Sequence, residues 1–445
     1  MTSLRFVFFS AGVALCGWPA FAQEAPATGP EPALQALVAE ALERNPDLLA
    51  AQEGLNAARE RVAQASALPD PMLSVGYTND GWAPSLGRQE MTTLALMASQ
   101  DLPYPGKRGL KADMASRETG QVEQQVERVR LRIAADVKRA YYGLLLARQL
   151  QAITREQRDL WHEIEGVVRA RYAVGQGAQQ DVLRIQVEIT RVEQSAAEQM
   201  AEAEIRLAEL NRLLARPPDA PLDASASLTV EPLALPLTET VERARQVSPE
   251  LASARLAVER GRLATALAQK EYKPDFSVQA SYVNRGGLDP MWQAGVGITL
   301  PVQRRRRAAA VAEAGALTRT TERFAESVNL QLRYRTQERF TRLKSTEKIA
   351  DLYLKGIVPQ DRMSVEAAIA NYQSARVPFI AVLEALQTLY ADRATLLRLG
   401  ADHARLLASL DEASLEANAD MSGAGGAAPV TLGASGAVAG GMGGR

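Results

Sequence analysis

Asn45-Pro46-Asp47-Leu48 opens a segment that reaches Pro71-Met72-Leu73-Ser74-Val75, and Ser248-Pro249-Glu250-Leu251 opens one of the same length that reaches Pro274-Asp275-Phe276-Ser277-Val278. The two stretches align without a gap, roughly 200 residues apart. Leu102-Pro103 is echoed by Leu300-Pro301, and Arg171-Tyr172 with Val182-Leu183 by Asn371-Tyr372 with Val382-Leu383. Periodic self-similarity fixes architecture before any local reading does. This period is too long for a solenoid unit, so it predicts one plan duplicated and fused, an internal two-fold repeat.

Four short segments alternate with period two. Leu73, Val75 and Tyr77 oppose Ser74, Gly76 and Thr78; Leu94, Leu96 and Ala98 oppose Thr93, Ala95 and Ser99. Phe276, Val278, Ala280 and Tyr282 oppose Ser277, Gln279 and Ser281; Trp292, Ala294, Val296, Ile298 and Leu300 oppose Gln293, Gly295, Gly297 and Thr299. Each has the length of a tilted membrane strand with one apolar and one small, polar face. A half-exposed strand of a soluble sheet also alternates. Four of them, paired as hairpins at 72–100 and 275–300, favour a barrel. Tyr77, Trp82, Tyr282 and Trp292 stand near strand ends, where an interfacial aromatic girdle belongs. The links Asn79 to Glu90 and Asn284 to Pro290 read as turns and loops.

The rest reads as helix. Proline is absent from 106 to 216, and apolar residues recur at spacings of three and four. Residues 34–67 form a first helix, 106–172 a long helix and 178–214 its return, with the reversal at Val174-Gly175-Gln176-Gly177. The second copy has helices at 238–270, from 304, and at 378–412, with a reversal near Gln373-Ser374-Ala375. Pro359 interrupts its long helix and predicts a kink there. In each copy the two shorter helices laid end to end match the long one, which suggests a column two helices thick below each hairpin. The domain plan is therefore a first repeat over 23–216, a proline-rich connector over 217–237, a second repeat over 238–412 and a tail over 413–445 with the composition of a disordered segment.

Residues 1–22 read as a secretion signal: Arg5, the apolar run Phe6 to Leu15, and the cleavage pattern Ala20-Phe21-Ala22. The single cysteine, Cys16, falls inside it, behind a Leu15 too bulky for lipoprotein processing. The mature chain then has no disulfide or thiolate chemistry. The net charge of −1 gives no bulk electrostatic case for nucleic acid. No segment has the roughly 18 continuous apolar residues of a spanning helix.

Four strands cannot close a barrel, and an open edge in lipid leaves backbone groups unsatisfied. The chain must share a barrel with copies of itself. Two copies would give eight strands and a filled interior; three would give twelve and a lumen.

The chain resembles the TolC family of outer-membrane efflux proteins. The residues that carry the likeness are Asn45-Pro46-x-Leu48, Leu68-Pro69-Asp70-Pro71, Gln100-Asp101-Leu102-Pro103-Tyr104-Pro105-Gly106-Lys107-Arg108, Arg171-Tyr172-x-x-Gly175 with Asp181-Val182-Leu183, and Tyr372 with Val382-Leu383-Glu384-Ala385. The resemblance implies a mixed α/β membrane protein: a homotrimer with a twelve-stranded outer-membrane β-barrel, four strands per chain, continued by a long periplasmic α-helical coiled-coil tunnel. It implies a passive exit duct that works with a periplasmic adaptor (membrane fusion) protein and an inner-membrane RND-type transporter, in contact with outer-membrane lipid. The Leu-Pro-Asp-Pro and Pro-Gly-Lys-Arg wording is most like the heavy-metal-efflux branch. The same fold serves type I protein secretion, and a non-channel periplasmic coiled-coil protein is the remaining alternative.

The lower end of the tunnel must open. The family's constriction falls on Ala381 and Glu384, of which only Glu384 is acidic; three copies would make one negative ring. A solvated glutamate on a helix face is the plainer alternative. Asp181 and Arg184 have the spacing of a local or intersubunit pair that could hold the tip closed. Arg171, Tyr172, Gly175, Gln176, Tyr372, Ser374 and Arg376 at the reversals are the expected adaptor-docking tips. Arg304-Arg305-Arg306-Arg307, with Lys107-Arg108 in the matching place, reads as a basic collar at the membrane surface. His162 and His403, the only histidines, read as surface residues. With no clustered His and no usable Cys, neither a zinc site nor a cysteine nucleophile can be built, and no cofactor is expected.

Overall fold

The computed structural model describes residues 30–85, 91–224 and 227–415. The signal at 1–22, the tail from 416 onward and part of the first hairpin loop lie outside the described residues. The element order is α1 (Pro30–Arg44), α2 (Pro46–Ser66), β1 (Met72–Thr78), β2 (Thr93–Leu102), α3 (Lys107–Ala173), α4 (Gln179–Leu213), then α5 (Leu237–Val247), α6 (Pro249–Lys270), β3 (Asp275–Arg285), β4 (Leu288–Thr299), α7 (Arg304–Leu352), a π turn (Tyr353–Ile357), α8 (Val358–Gln373) and α9 (Phe379–Glu412). The order helix–helix–strand–strand–helix–helix is met over α1–α4 and again over α5–α9, where α7, the π turn and α8 together take the place of α3.

The four strands form one antiparallel sheet in the order β1-β2-β3-β4. Its register makes the alternation coherent. Val75 lies opposite Leu96, Leu96 opposite Tyr282, and Tyr282 opposite Trp292. Leu73, Ala98, Ala280 and Ala294 make the next row. The apolar sets of all four strands therefore share one face. The other face carries Ser74, Met97, Ser281 and Gln293 in one row and Gly76, Ala95 and Val283 in another. In one protomer Leu73, Val75 and Val296 remain 68%, 69% and 72% exposed, which no aqueous surface of this extent favours. β1 and β4 are free edges. They run in opposite senses, so β4 of one copy can pair antiparallel with β1 of the next.

The loop expected at 284–290 is instead a tight turn at Gly286-Gly287, and Leu288 to Pro290 belong to β4. The register slips between Val283 and Arg285. Pro290, which has no N–H to donate, sits in that irregular stretch, where a strand tolerates proline.

α3 has 67 residues and is about 100 Å long. The helices expected at 34–67 and 238–270 are each two helices. Asn45 and Ser248 stand before prolines, which bars the αR conformation, and both are extended. Asn45 Oδ1 accepts from Asp47 N at 3.0 Å, and Ser248 Oγ from Leu251 N at 3.4 Å, capping the second helix of each pair. Asn45 Nδ2 also donates to Leu213 O at 3.0 Å. The end of α4 thus meets the start of α2, and the two lie head to tail along α3. A core of Leu34, Ala41 and Leu48 with Ile133, Val137, Tyr141, Leu144 and Leu210 seals this joint.

Pro359 behaves as its chemistry requires. The helix widens over Tyr353–Ile357, and Val358 N reaches Tyr353 O in a π-type bond. The extra residue in the turn makes room for the ring and absorbs the missing donor.

Two basic expectations change. Lys107 is 3% exposed, with Nζ 2.9 Å from Asp275 Oδ2 and 3.3 Å from Glu271 Oε2. Arg108 donates to Ser66 O at 2.6 and 2.8 Å. Both are held inside the junction between strands and helices and do not belong to a surface collar. Arg304 to Arg306 are exposed in the first turn of α7, and Arg307 donates to Glu271 O at 2.7 Å. His403 is also not a surface residue: it is 2% exposed, with Nε2 3.5 Å from Glu347, and burial depresses its pKa.

Candidate functional site

The two helical reversals lie together at the end of the helices away from the sheet. Their backbones are built alike at an offset of 200. Gly175 N donates to Tyr172 O at 3.0 Å and Gln176 N to Arg171 O at 2.9 Å; Ala375 N donates to Tyr372 O at 3.0 Å and Arg376 N to Asn371 O at 2.9 Å. This is the Schellman pattern, which needs a left-handed residue after the helix. Gly175 supplies it at φ 74°, but Ala375 is forced to φ 59°. Gly177 is fixed by space: a Cβ there would stand 3.1 Å from Tyr172 N.

Above the reversals the two hairpins share one core. Trp161, Val168, Ile185 and Ile189 of α3 and α4 pack with Val358, Val365, Tyr372, Phe379, Val382 and Leu386 of α8 and α9. The buried face of α9 explains where Glu384 points. Val382, Leu383 and Leu386 face the core, and Glu384 is exposed on the opposite side with no side-chain partner among the described residues. Ala381 is half-buried.

Asp181 and Arg184 make no ion pair with each other in the protomer. Asp181 lies in the first turn of α4, and its charge reaches Tyr372 across the hairpin boundary. Burial, and then Asp181, push the Tyr372 phenol pKa upward, while Arg171 opposes this. The Tyr372 hydroxyl is shut from solvent without a hydrogen-bond partner among the described residues.

Tyr372 and Arg171 were expected as exposed docking residues, and the structure places them against each other. Tyr372 is 5% exposed and packs on Phe379 with ring centroids 5.6 Å apart. The Arg171 guanidinium lies 4.5 Å above the Tyr372 ring, donates to Tyr372 O and donates to Gln176 O at 3.2 Å. It therefore ties the two reversals together, with a cation–π contact added to bonds on one backbone carbonyl from each reversal. Tyr172, Gly175, Gln176, Ser374 and Arg376 remain exposed at the tip.

Sequence reading missed two links between the hairpins. Gln387 Nε2 donates to Glu188 Oε2 at 3.0 Å, and Glu188 also holds Arg191 at 2.7 Å. Arg393 grips Glu156 through both nitrogens at 2.7 and 2.8 Å. That guanidinium holds the Glu156 carboxyl below its usual pKa against the opposing effect of burial. These partners lie far apart in the chain and carry no periodic signal.

At the sheet end, Tyr282 and Trp292 pack at a tilt of 57° with centroids 4.9 Å apart, and the Tyr77 hydroxyl bonds Asn79 Oδ1 and Ser85 O at 2.9 and 2.7 Å. Trp82 is fully exposed in the loop between β1 and β2. No described helix is long and apolar enough to cross a membrane.

Residues 37–216 match the model of a family described as outer membrane efflux protein. No curated protein matches this chain. Among solved structures it is similar to CusC, with 18% identity, TM-score 0.72, and 86% of this chain and 91% of that one covered. The outer membrane protein VceC from Vibrio cholerae has 19% identity and TM-score 0.72 over 85% and 95% of the two chains. The Neisseria gonorrhoeae MtrE outer membrane channel, in its open state, has 20% identity and TM-score 0.71 over 86% and 88%. At these identities the likeness carries the fold.

Proposed function

We propose that this chain is one third of an exit duct: the outer-membrane channel of a tripartite efflux system, passive itself and supplied by a periplasmic adaptor and an inner-membrane RND-type transporter. Its place is the cell outer membrane, with the helices extending into the periplasm. The observation that carries the reading is the sheet. One apolar face runs unbroken across four strands, both edges are free and antiparallel to each other, and helices of about 100 Å hang from it. Three copies give twelve strands and a polar-lined lumen. The two halves of the chain then act as repeats of one plan, each supplying a hairpin and a set of tunnel helices.

In this reading Tyr77, Trp82, Tyr282 and Trp292 form the aromatic belt. Arg304 to Arg306 meet phosphates at the membrane surface. Four arginines opening a helix run against its macrodipole, so helix stability does not account for them. Glu384 lines the narrow end, and Asp181 with Tyr372 and Arg171 holds it closed, Arg184 facing the neighbouring copy. Tyr172, Gly175, Gln176, Ser374 and Arg376 meet the adaptor. Heavy-metal cations are the cargo that the Leu-Pro-Asp-Pro and Pro-Gly-Lys-Arg wording suggests. Lys107 and Arg108 have structural partners, however, so this wording speaks more for the junction than for the cargo.

The test is reconstitution. The protein should fractionate with the outer membrane as a heat-modifiable trimer and form pores in planar bilayers; a soluble periplasmic monomer would end the proposal. Photo-crosslinkers at Gln176 and Arg376 should capture an adaptor, whereas capture only from mid-tunnel positions would contradict the tip assignment.

A further inference from the structure

Gln100-Asp101-Leu102 closes β2 and carries a charge that the fold does not use. The register fixes where that charge points. Leu102 pairs with Phe276 and Phe276 with Ile298, on the apolar face. Asp101 pairs with Ser277 and Ser277 with Gly297, on the small, polar face. β2 lies between β1 and β3, away from the free edges, so joining copies edge to edge leaves Asp101 uncovered. It is exposed, and its carboxylate has no hydrogen-bond or ion-pair partner among the described residues.

The other charges of the sheet are engaged or distant. Among the described residues the strands carry four charged side chains, Asp101, Asp275, Arg285 and Asp289. Asp275 is taken up by Lys107 Nζ at 2.9 Å and Tyr104 N at 2.7 Å. Arg285 and Asp289 flank the β3–β4 turn, and Arg285 is eight residues from Ser277, about 26 Å of strand. Lys273, in the turn before β3, is four residues from Ser277 on the other side, about 13 Å. The surface beside Asp101 is low. A Cβ at Gly297 would collide with Ser277 Oγ, and one at Gly295 would stand 2.9 Å from Gln279 Nε2, so both polar side chains lie flat across the glycines.

We propose that Asp101 is a selectivity-determining residue of the barrel: three copies ring the end of the lumen nearest the helices and favour small cations over anions. The inference rests on the trimeric duct reading above and adds a second, wider ring to Glu384 at the tip. Size decides whether such a ring can act. Twelve strands about 4.8 Å apart, tilted about 40°, give a circumference of about 75 Å and a backbone radius of about 12 Å. The carboxylates stand inside that radius. The Debye length is about 10 Å at 0.1 M salt and about 3 Å at 1 M. The field of the ring therefore reaches the axis at 0.1 M and is screened from it at 1 M. Three charges about 10 Å from the axis, in a medium with the permittivity of water, shift the cation-to-anion permeability ratio roughly two- to fivefold at 0.1 M.

The experiment uses the single cysteine of the chain, Cys16, lying in the segment that reads as a secretion signal. D101C, D101N and V296C, the last on the apolar face, are made in the Glu384→Ala background, so that the narrow end does not mask the barrel. Reversal potentials are measured in planar bilayers under salt gradients near 0.1 M and near 1 M. D101N and D101C should lower the cation preference of the parent. A sulfonate-bearing methanethiosulfonate should restore it in D101C, and a trimethylammonium-bearing one should turn it toward anions. Both effects should fade at 1 M, and V296C should respond to neither reagent. Pores in which D101N and D101C keep the selectivity of the parent, or V296C responds as D101C does, would overturn the inference and leave the duct standing. Failure of the Asp101 variants alone to assemble would give the residue a structural role instead. A parent that forms no pores would overturn the duct reading and this inference with it.

Discussion

Replacing Lys107 by methionine removes the ammonium and keeps the length of the stem. The ammonium is almost fully enclosed and bridges Asp275 of β3 and Glu271 of the turn before it, while Lys107 itself opens α3. The node therefore joins the two halves of the chain where the strands give way to the helices. Breaking a fully buried pair costs about 3–5 kcal/mol. Here the carboxylates remain 39% and 48% exposed, so water recovers part of that energy, and Asp275 keeps the amide of Tyr104 at 2.7 Å. An exposed pair would be worth at most about 1 kcal/mol. The expected loss lies between these limits, about 1–3 kcal/mol. Denaturant unfolding in detergent, followed by tryptophan fluorescence in a Trp161→Phe background, would report the sheet side through Trp82 and Trp292. A double-mutant cycle with Asp275→Asn should show coupling above about 0.5 kcal/mol. Additive effects, or a Lys107→Met protein as stable as its parent, would refute the reasoning.

Glu384→Lys should reverse or strongly reduce cation preference in planar bilayers, and Glu384→Ala should weaken it; unchanged selectivity in both would remove Glu384 from the constriction. Asp181→Ala and Arg184→Ala should each raise the open probability of the pore, and Tyr372→Phe less so, because its hydroxyl has no partner to lose; equal open probabilities throughout would return these residues to the surface. Ala375→Gly should stabilise the tip by about 1 kcal/mol and Gly175→Ala destabilise it by about 1–2 kcal/mol, since only the left-handed residue differs; hydrogen exchange at the tips reads both, and a destabilising Ala375→Gly would contradict the turn analysis. The Glu156 carboxyl is held low by Arg393, so its contribution is present above the unfolded value near 4.5 and is lost as pH falls through the lower folded value. The stability gap between wild type and Glu156→Gln should therefore be constant at neutral pH and close in acid; a gap that persists down to about pH 2, below the ordinary carboxylate range, would argue against the pair.

Period-two alternation was legible because every strand has one apolar face, and only a sheet surface imposes that spacing. The long helices were legible because proline is absent where they run and glycine marks where one of them turns. Helix breaks at Asn45 and Ser248 were less visible. Each is a single capping residue before a proline inside an otherwise unbroken apolar pattern. Arg171 and Tyr372 were named for their place at the tip, but an arginine next to a reversal gives no sign in the sequence of which carbonyls it will hold. Lys107 in a basic dipeptide likewise reads as surface until its partners are known.

The sequence by itself therefore determined most of the elements and their order, because these follow from local periodicity and from proline and glycine chemistry. The tertiary structure decided which polar residues meet and which of them are buried. Lys107 with Asp275, Arg171 with Tyr372, Arg393 with Glu156 and His403 beside Glu347 are pairs formed across long chain separations. Their energies depend on burial and on distances of a few ångströms, which no local pattern encodes. It also decided that the four apolar strand faces coincide. Register between strands distant in sequence is set by pairing, and a slip of one residue would have turned half of them inward.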